Sequence, residues 1–288
     1  MAFNFSTFRV RAISAIFFVI IMLTGLIWNS WSFFLLFTVI QLGCLFEYQK
    51  LMALIYPSYA KIHPVHKWSL LLLGTVMMMA LCQKDLGIID MSIKYIGVKL
   101  VPFVLGLLII GELLKFNKQE TLQNLAISFF GLIYISMSLS LFFQLRNFMI
   151  SYFFMYWSFS IPILVIISIW INDTMAYIVG SFIGKTPLSS VSPNKTWEGT
   201  IAGIIISVLL VTKVLGIWIP IQEKVIFLIS IVSCVTGTFG DLFESKLKRL
   251  AGVKDSGAMM PGHGGFLDRF DSILFAVPFV WLLLQIMF

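Results

Sequence analysis

The chain has 288 residues, 59% of them hydrophobic, 15% aromatic and only 11% charged, against about 25% charged in an ordinary soluble domain. That balance excludes a water-soluble globule. The net charge of +7 is dispersed among short segments between apolar runs and forms no continuous basic arm, so membrane topology and anionic lipid account for it and nucleic acid is excluded as a partner.

Apolar runs of bilayer length occur at about 12–28, 31–46, 68–82, 96–114, 124–144, 150–171, 199–219, 225–243 and 272–288. Runs this long with no alternating pattern satisfy their backbone hydrogen bonds in lipid only as helices. The expected fold is therefore all-α, a polytopic transmembrane helical bundle of about nine spans. The first run follows Arg9 and Arg11 and lacks a small-x-small cleavage site before the next, so it reads as a retained span. Pro102, Pro162 and Pro278 fall within spans, where kinks are tolerated. Cys44, Cys82 and Cys234 lie far apart in or beside apolar segments and read as packing residues.

Between the second and third runs, a loop from Glu47 to Lys67 carries His63 and His66, read as solvated. Glu112 reads as a boundary residue and Lys213 as a snorkelling one. With the N-terminus cytoplasmic, most of the Lys and Arg residues fall on one face, leaving mainly Lys84, Lys94, Arg146 and Lys224 on the other. The same assignment puts the two most polar loops, Asn172 to Glu198 and Glu244 to Asp271, on the cytoplasmic face. No repeat or long linker divides the chain, so 1–288 reads as one integral membrane domain.

The polar residues are few, and they concentrate where chemistry is expected. Asp241 closes one apolar run and Asp271 opens the next, which puts both carboxylates near the membrane boundary, where a carboxylate costs roughly 2.5–3.5 kcal/mol to keep. Asp268 and Asp271 share a face if the last helix begins before them. Converging carboxylates repel unless a cation lies between them. Magnesium suits such a place, because it takes one or two carboxylates, waters and phosphate oxygens. Lys246, Lys248, Arg249, Lys254 and Arg269 supply positive charge for phosphates. The run Gly262-His263-Gly264-Gly265 allows backbone amides to approach phosphate oxygens. Single pairs such as Asp268 with Arg269, or Asp271 with Lys254, also read as structural ion pairs. Taken together, the acids, bases and glycines suggest phosphoryl chemistry.

Ser245 through Asp271 resembles the signature of the phosphatidate cytidylyltransferases, also called CDP-diglyceride synthases, with Met260 the one conservative departure. Asp173, Ala176-Tyr177, Gly180, Gly184-Lys185 and Ser192-Pro193-Asn194-Lys195-Thr196-Trp197-Glu198-Gly199 resemble a second block of that family. Gly180 and Gly184 also read as a small-xxx-small helix contact, and Ser192-Pro193 as an ordinary turn. The resemblance spans roughly the C-terminal 120 residues; 1–150 resembles the family in hydropathy and placement.

The resemblance implies attack of a phosphatidic acid oxygen on the α-phosphorus of CTP, with magnesium, and room for a second cation, as cofactor. It implies Asp241 and Asp268 as metal ligands, with Asp271 a further ligand or the anchor of a second cation. Lys248, Arg249, Lys254 and Arg269 would contact phosphates, and His263 would donate to one. Asp255 would orient Lys254. Lys195 would meet a phosphate with Glu198 orienting it, and Asp173 would be a ligand or a helix N-cap. Lys185, Ser192, Gly262, Gly264 and Gly265 would help to cradle the nucleotide. CTP, phosphatidic acid and the bilayer are the expected partners, a homodimer is compatible, and a bacterial inner membrane is the expected location. A CTP-dependent polyprenol kinase and a membrane transporter stay open as alternatives.

Overall fold

The structure is a computed structural model and describes residues 5–82, 86–88, 91–114, 118–148, 160–219, 221–258 and 264–288. Helices dominate it: α1 (Phe5–Ile27), α2 (Ser30–Ile55), α3 (Pro57–Ala60), α4 (Pro64–Leu81), α5 (Ile93–Leu113), α6 (Lys118–Gly131), α7 (Ser138–Arg146), α8 (Ser160–Ile183), α9 (Trp197–Lys213), α10 (Glu223–Leu250) and α11 (Leu267–Met287). A π-helical stretch, Leu132–Met137, joins α6 to α7. Two strands of two residues each, β1 (Gly87–Ile88) and β2 (Met91–Ser92), pair antiparallel before α5. Among the described residues, eight helical stretches are long and apolar enough to cross a membrane, and within α1 the segment Ile16–Ile27 is a shorter apolar one. The chain is an integral membrane helical bundle, in line with about nine spans.

The described residues sort into two compact units, 1–143 with 250–270, and 144–249 with 271–288. In the first unit α4 packs on α5 through small residues. A Cβ at Gly111 would lie 2.6 Å from the His66 amide nitrogen, and one at Gly97 would clash with the backbone at Ala80, so the two backbones approach as closely as glycine allows. Phe33, Phe37 and Phe142 are fully buried, with the rings of Phe37 and Phe142 5.0 Å apart and edge-on. Cys44 and Cys82 in this unit, and Cys234 in the other, are free and buried, as packing residues should be.

In the second unit α8 and α9 form the tightest seam. A Cβ at Gly199 would lie 2.5 Å from the Ala176 carbonyl oxygen and 2.8 Å from the Gly180 Cα, and one at Gly203 would lie 2.7 Å from the Asn172 oxygen. Gly180 and Gly199 of the second sequence block are therefore helix-contact residues. Asn172 Nδ2 and Thr238 Oγ1 approach to 3.4 Å, linking α8 to α10, and Trp281 of α11 donates to Gln144 at 3.0 Å.

Several boundaries differ from the sequence expectation, and each difference moves a polar residue. Helix α8 runs on to Ile183 rather than ending near 171, so Asp173 lies inside it and is not an N-cap. Helix α10 has 28 residues, about 42 Å at 1.5 Å per residue, against a hydrocarbon thickness of about 30 Å. Its last turns, with Lys246, Lys248 and Arg249, extend past the length a bilayer needs, and Asp241 lies about 27 Å from Glu223 along the axis. Helix α11 starts at Leu267, before both Asp268 and Asp271, as a shared face requires.

The Glu47–Lys67 segment is also not a solvated loop. Helix α2 runs on to Ile55 and buries Glu47, while α4 starts at Pro64 and buries His66. His66 Nδ1 lies 2.7 Å from Glu112 Oε2, and its Nε2 lies 2.7 Å from Ser128 Oγ. Asn124 donates to Glu112 Oε1 at 2.7 Å, and Tyr59 OH reaches Ser128 Oγ at 3.0 Å. Glu112 thus stands at the end of α5, as expected, but as a buried partner. His63 caps α4, its Nδ1 accepting from the Val65 amide. Lys213 closes α9 in an exposed ion pair with Glu223.

Candidate active site

In the second unit, the chain leaving α8 makes a hairpin-like excursion that delivers Lys195 back to the bundle. Pro187 pairs with Thr196, the Leu188 amide donates to the Lys195 carbonyl at 2.7 Å, and the Trp197 amide donates to the Thr186 carbonyl at 3.0 Å. Inside the excursion, the Lys195 amide donates to the Ser192 carbonyl at 3.1 Å, so Ser192-Pro193-Asn194-Lys195 forms a turn. Thr196 caps α9 by accepting from the Gly199 amide at 3.2 Å. Glu198, in the first turn of α9, accepts from the Lys185 and Thr186 amides at 3.2 Å. It braces the loop backbone instead of orienting the lysine, and Lys185 enters the arrangement through its main chain.

The Lys195 side chain forms an ion pair with Asp241 of α10. Burial disfavours its charge, but Asp241, Asp173 and Asp271 together outweigh burial and raise its pKa above the ordinary lysine value. Asp271, 5% exposed at the start of α11, lies within the electrostatic reach of Asp241, Glu244 and Asp173. Glu244 is fully buried and forms an ion pair with Lys248 one turn on, at 2.5 Å. One unit thus gathers acidic side chains from α8, α10 and α11 around Lys195, with Lys248 beside them. Glu244 is a member of the cluster that the sequence reading passed over.

Hard carboxylate oxygens, from Asp173, Asp241, Glu244 and Asp271, outnumber the ammonium groups of Lys195 and Lys248 and are the kind of donor that magnesium takes. Among the described residues no three acidic, His or Cys groups converge tightly enough to cage a metal. The residues fit magnesium as hard oxygen donors.

In the first unit, the signature segment folds onto α2. Asp268 Oδ2 accepts from the Ser256 amide at 2.9 Å, from Ser256 Oγ at 3.0 Å and from the Gly265 amide at 2.8 Å. Gly264 has φ +84, a left-handed conformation that glycine adopts without strain. Glu47 reaches the same segment, accepting from the Phe266 amide at 3.0 Å, from the Leu267 amide at 2.9 Å and from Ser256 Oγ at 2.8 Å. Lys254, Asp255, Arg249 and Arg269 are exposed. Gly262 and His263 lie outside the described residues.

Glu47, like Glu244, carries no role in the sequence reading. The signal was present: the apolar residues Leu51, Met52, Leu54 and Ile55 continue past it, which makes it a carboxylate within a span and so a functional candidate.

The model of the Cytidylyltransferase family matches residues 9–287. A phosphatidate cytidylyltransferase of Bacillus subtilis (strain 168) is 49% identical over 120 residues, 41% of this chain and 45% of the relative. One from Synechocystis sp. is 45% identical over 124 residues, 42% of each chain. The chloroplastic phosphatidate cytidylyltransferase 4 of Arabidopsis thaliana is 47% identical over 107 residues, 36% of this chain and 27% of the relative. The alignments thus span less than half the length of these curated relatives. Because the family match runs through nearly the whole chain, including the segments that carry Glu47, Lys195 and Asp241, the chain belongs to the Cytidylyltransferase family.

Proposed function

We propose that the protein transfers the cytidylyl group of CTP to phosphatidic acid, giving CDP-diacylglycerol and pyrophosphate. The observation that carries this reading is the ion pair of Lys195 with Asp241, with Asp173 and Asp271 acting on the same ammonium, in a chain of the Cytidylyltransferase family. A phosphate oxygen of the lipid attacks the α-phosphorus of CTP. The new P–O bond forms as the bond from the α-phosphorus to the α,β-bridging oxygen breaks, and pyrophosphate leaves with that electron pair. The lipid phosphate is already an anion at neutral pH, so no side-chain nucleophile is required.

What the chain must do is hold two mutually repelling anions in line and absorb the charge that develops between them. Lys195 and Lys248 are the cations within the carboxylate cluster, and on binding a phosphate each exchanges part of its pairing with Asp241 or Glu244 for the substrate. Arg249, Lys254 and Arg269 face solvent, where they draw the triphosphate in. Asp241 and Asp271 would hold magnesium, with Asp271 able to anchor a second cation; the assignment of Asp268 to a cation rests on the sequence block. When bound, magnesium would neutralise charge on the phosphates. Phosphatidic acid reaches the site laterally within the membrane and CTP reaches it from water, which favours a bacterial inner membrane with the N-terminus and the site on the cytoplasmic side.

The test is the full chain purified in detergent, supplied with phosphatidic acid and CTP labelled on the α-phosphate. Label in the lipid fraction with equimolar pyrophosphate supports the reading. Release of CDP with a phosphorylated lipid overturns it in favour of a kinase.

A further inference from the structure

We infer that Glu47, on an N-terminal span, is a positioning residue for the C-terminal signature segment. This rests on the transfer reaction proposed above. Glu47 is 4% exposed, and its carboxylate accepts from the Phe266 and Leu267 amides and from Ser256 Oγ. Leu267 is the first residue of α11. The first amides of a helix have no partner within it, and the helix dipole makes that end positive. A carboxylate from α2 supplies both the acceptor and the opposite charge, so Glu47 caps α11 in trans and fixes where the helix that carries Asp268 begins.

Three features show that the contact is built for this carboxylate. A Cβ at Gly257 or at Gly265 would clash with the Glu47 carboxylate oxygens, so glycine at both positions makes room for it. One turn earlier on the same face of α2, Gly43 receives the ring of Phe266, which a Cβ would displace. Ser256 Oγ stands between two acids, 2.8 Å from Glu47 Oε2 and 3.0 Å from Asp268 Oδ2. Its single proton is shared by them or serves them in turn, which couples Glu47 to Asp268.

A positioning role has a kinetic signature distinct from substrate binding. Misplacing reactive groups by about an ångström costs on the order of a hundredfold in rate, so in the purified full chain Glu47→Gln lowers kcat by about ten- to a hundredfold. KM for CTP stays within about threefold, because uniform substrate binding is untouched. Glu47→Asp, which keeps the charge, recovers part of the lost kcat. Amide hydrogen exchange of the segment around Gly265–Asp268 quickens in the Gln variant, and Ser256→Ala combined with it is less than additive because the two residues share one network.

A Gln variant with wild-type kcat overturns the inference. So does a loss that Asp does not relieve, or exchange at Gly265–Asp268 that does not change. Wild-type protein that fails to label lipid defeats the reaction reading, and the exchange measurement then still decides whether Glu47 holds the segment.

Discussion

Lys195 takes its ion-pair partner from α10, at Asp241, and not from Glu198 three residues on, at the start of α9. The division has a physical logic. Glu198 is used by the Lys185 and Thr186 amides, which hold the excursion after α8 in shape, and the lysine at its end is left to face the carboxylates. Replacing Lys195 by Met should lower kcat/KM by a hundredfold or more, the order seen when one charge-stabilising donor is removed. The pH behaviour carries a sign. The folded pKa of Lys195 lies above the ordinary lysine value, so its pairing contributes stability that is fully present below about pH 10.4, the unfolded value, and is lost as pH rises through the higher folded value. Melting temperature followed from neutral to strongly alkaline pH should show that fall in the wild type and a weaker one in the Met variant.

The α8–α9 seam predicts a packing phenotype separable from chemistry. Gly199→Ala places a methyl group 2.5 Å from the Ala176 carbonyl oxygen, closer than backbone can yield without separating the helices. Overpacking of this kind costs about 1–3 kcal/mol, so the variant should melt at lower temperature in detergent. Gly216→Ala is the control, since the nearest atom to a Cβ there is 3.5 Å away, and it should melt close to the wild type.

How much of this was legible in the sequence depended on the kind of signal. Apolar length makes the helical class legible, because backbone in lipid has no other way to satisfy itself, and the number of spans roughly so, with eight and a shorter apolar helix among the described residues against about nine expected. The pairing of Lys195 with Asp241 was not readable, since both were assigned to phosphate or metal and nothing in their spacing brings them together. Helix ends were misread wherever a polar residue sat within a continuing helix. Asp173, Glu47 and His66 look like loop residues in the sequence, although each lies inside a helix. The glycines after His263 were read as room for phosphate, whereas Gly265 makes room for the Glu47 carboxylate, a contact between distant segments that local pattern cannot reveal.

The buried group of His66, Glu112, Asn124, Ser128 and Tyr59 shows how polar residues are kept within the first unit. Both Glu112 oxygens and both His66 nitrogens have partners, so the group acts as a brace between α4, α5 and α6. Removing one member of a buried pair strands the other, at a cost of about 3–5 kcal/mol. Glu112→Ala should therefore lower thermal stability sharply. Activity measured well below its melting temperature should stay near wild type, and a selective loss of kcat with unchanged melting would contradict the structural role.

Asp241 and Asp268 separate the two uses to which the chain puts its acids. Asp241 meets Lys195 and stands within the electrostatic reach of Asp271, whereas Asp268 spends Oδ2 on Ser256 and Gly265. Chelation with EDTA should abolish turnover and added magnesium should restore it. Asp241→Asn should remain folded and inserted, yet excess magnesium should not return its activity, since a neutral amide is a poor ligand for a hard cation. Asp268→Asn keeps one carbonyl acceptor for the segment and should fall less steeply, with faster amide exchange near Gly265. Magnesium titrations of the two variants, read against exchange at that segment, separate the roles. An Asp268→Asn protein with intact exchange and a raised magnesium requirement would move Asp268 from the segment to the metal.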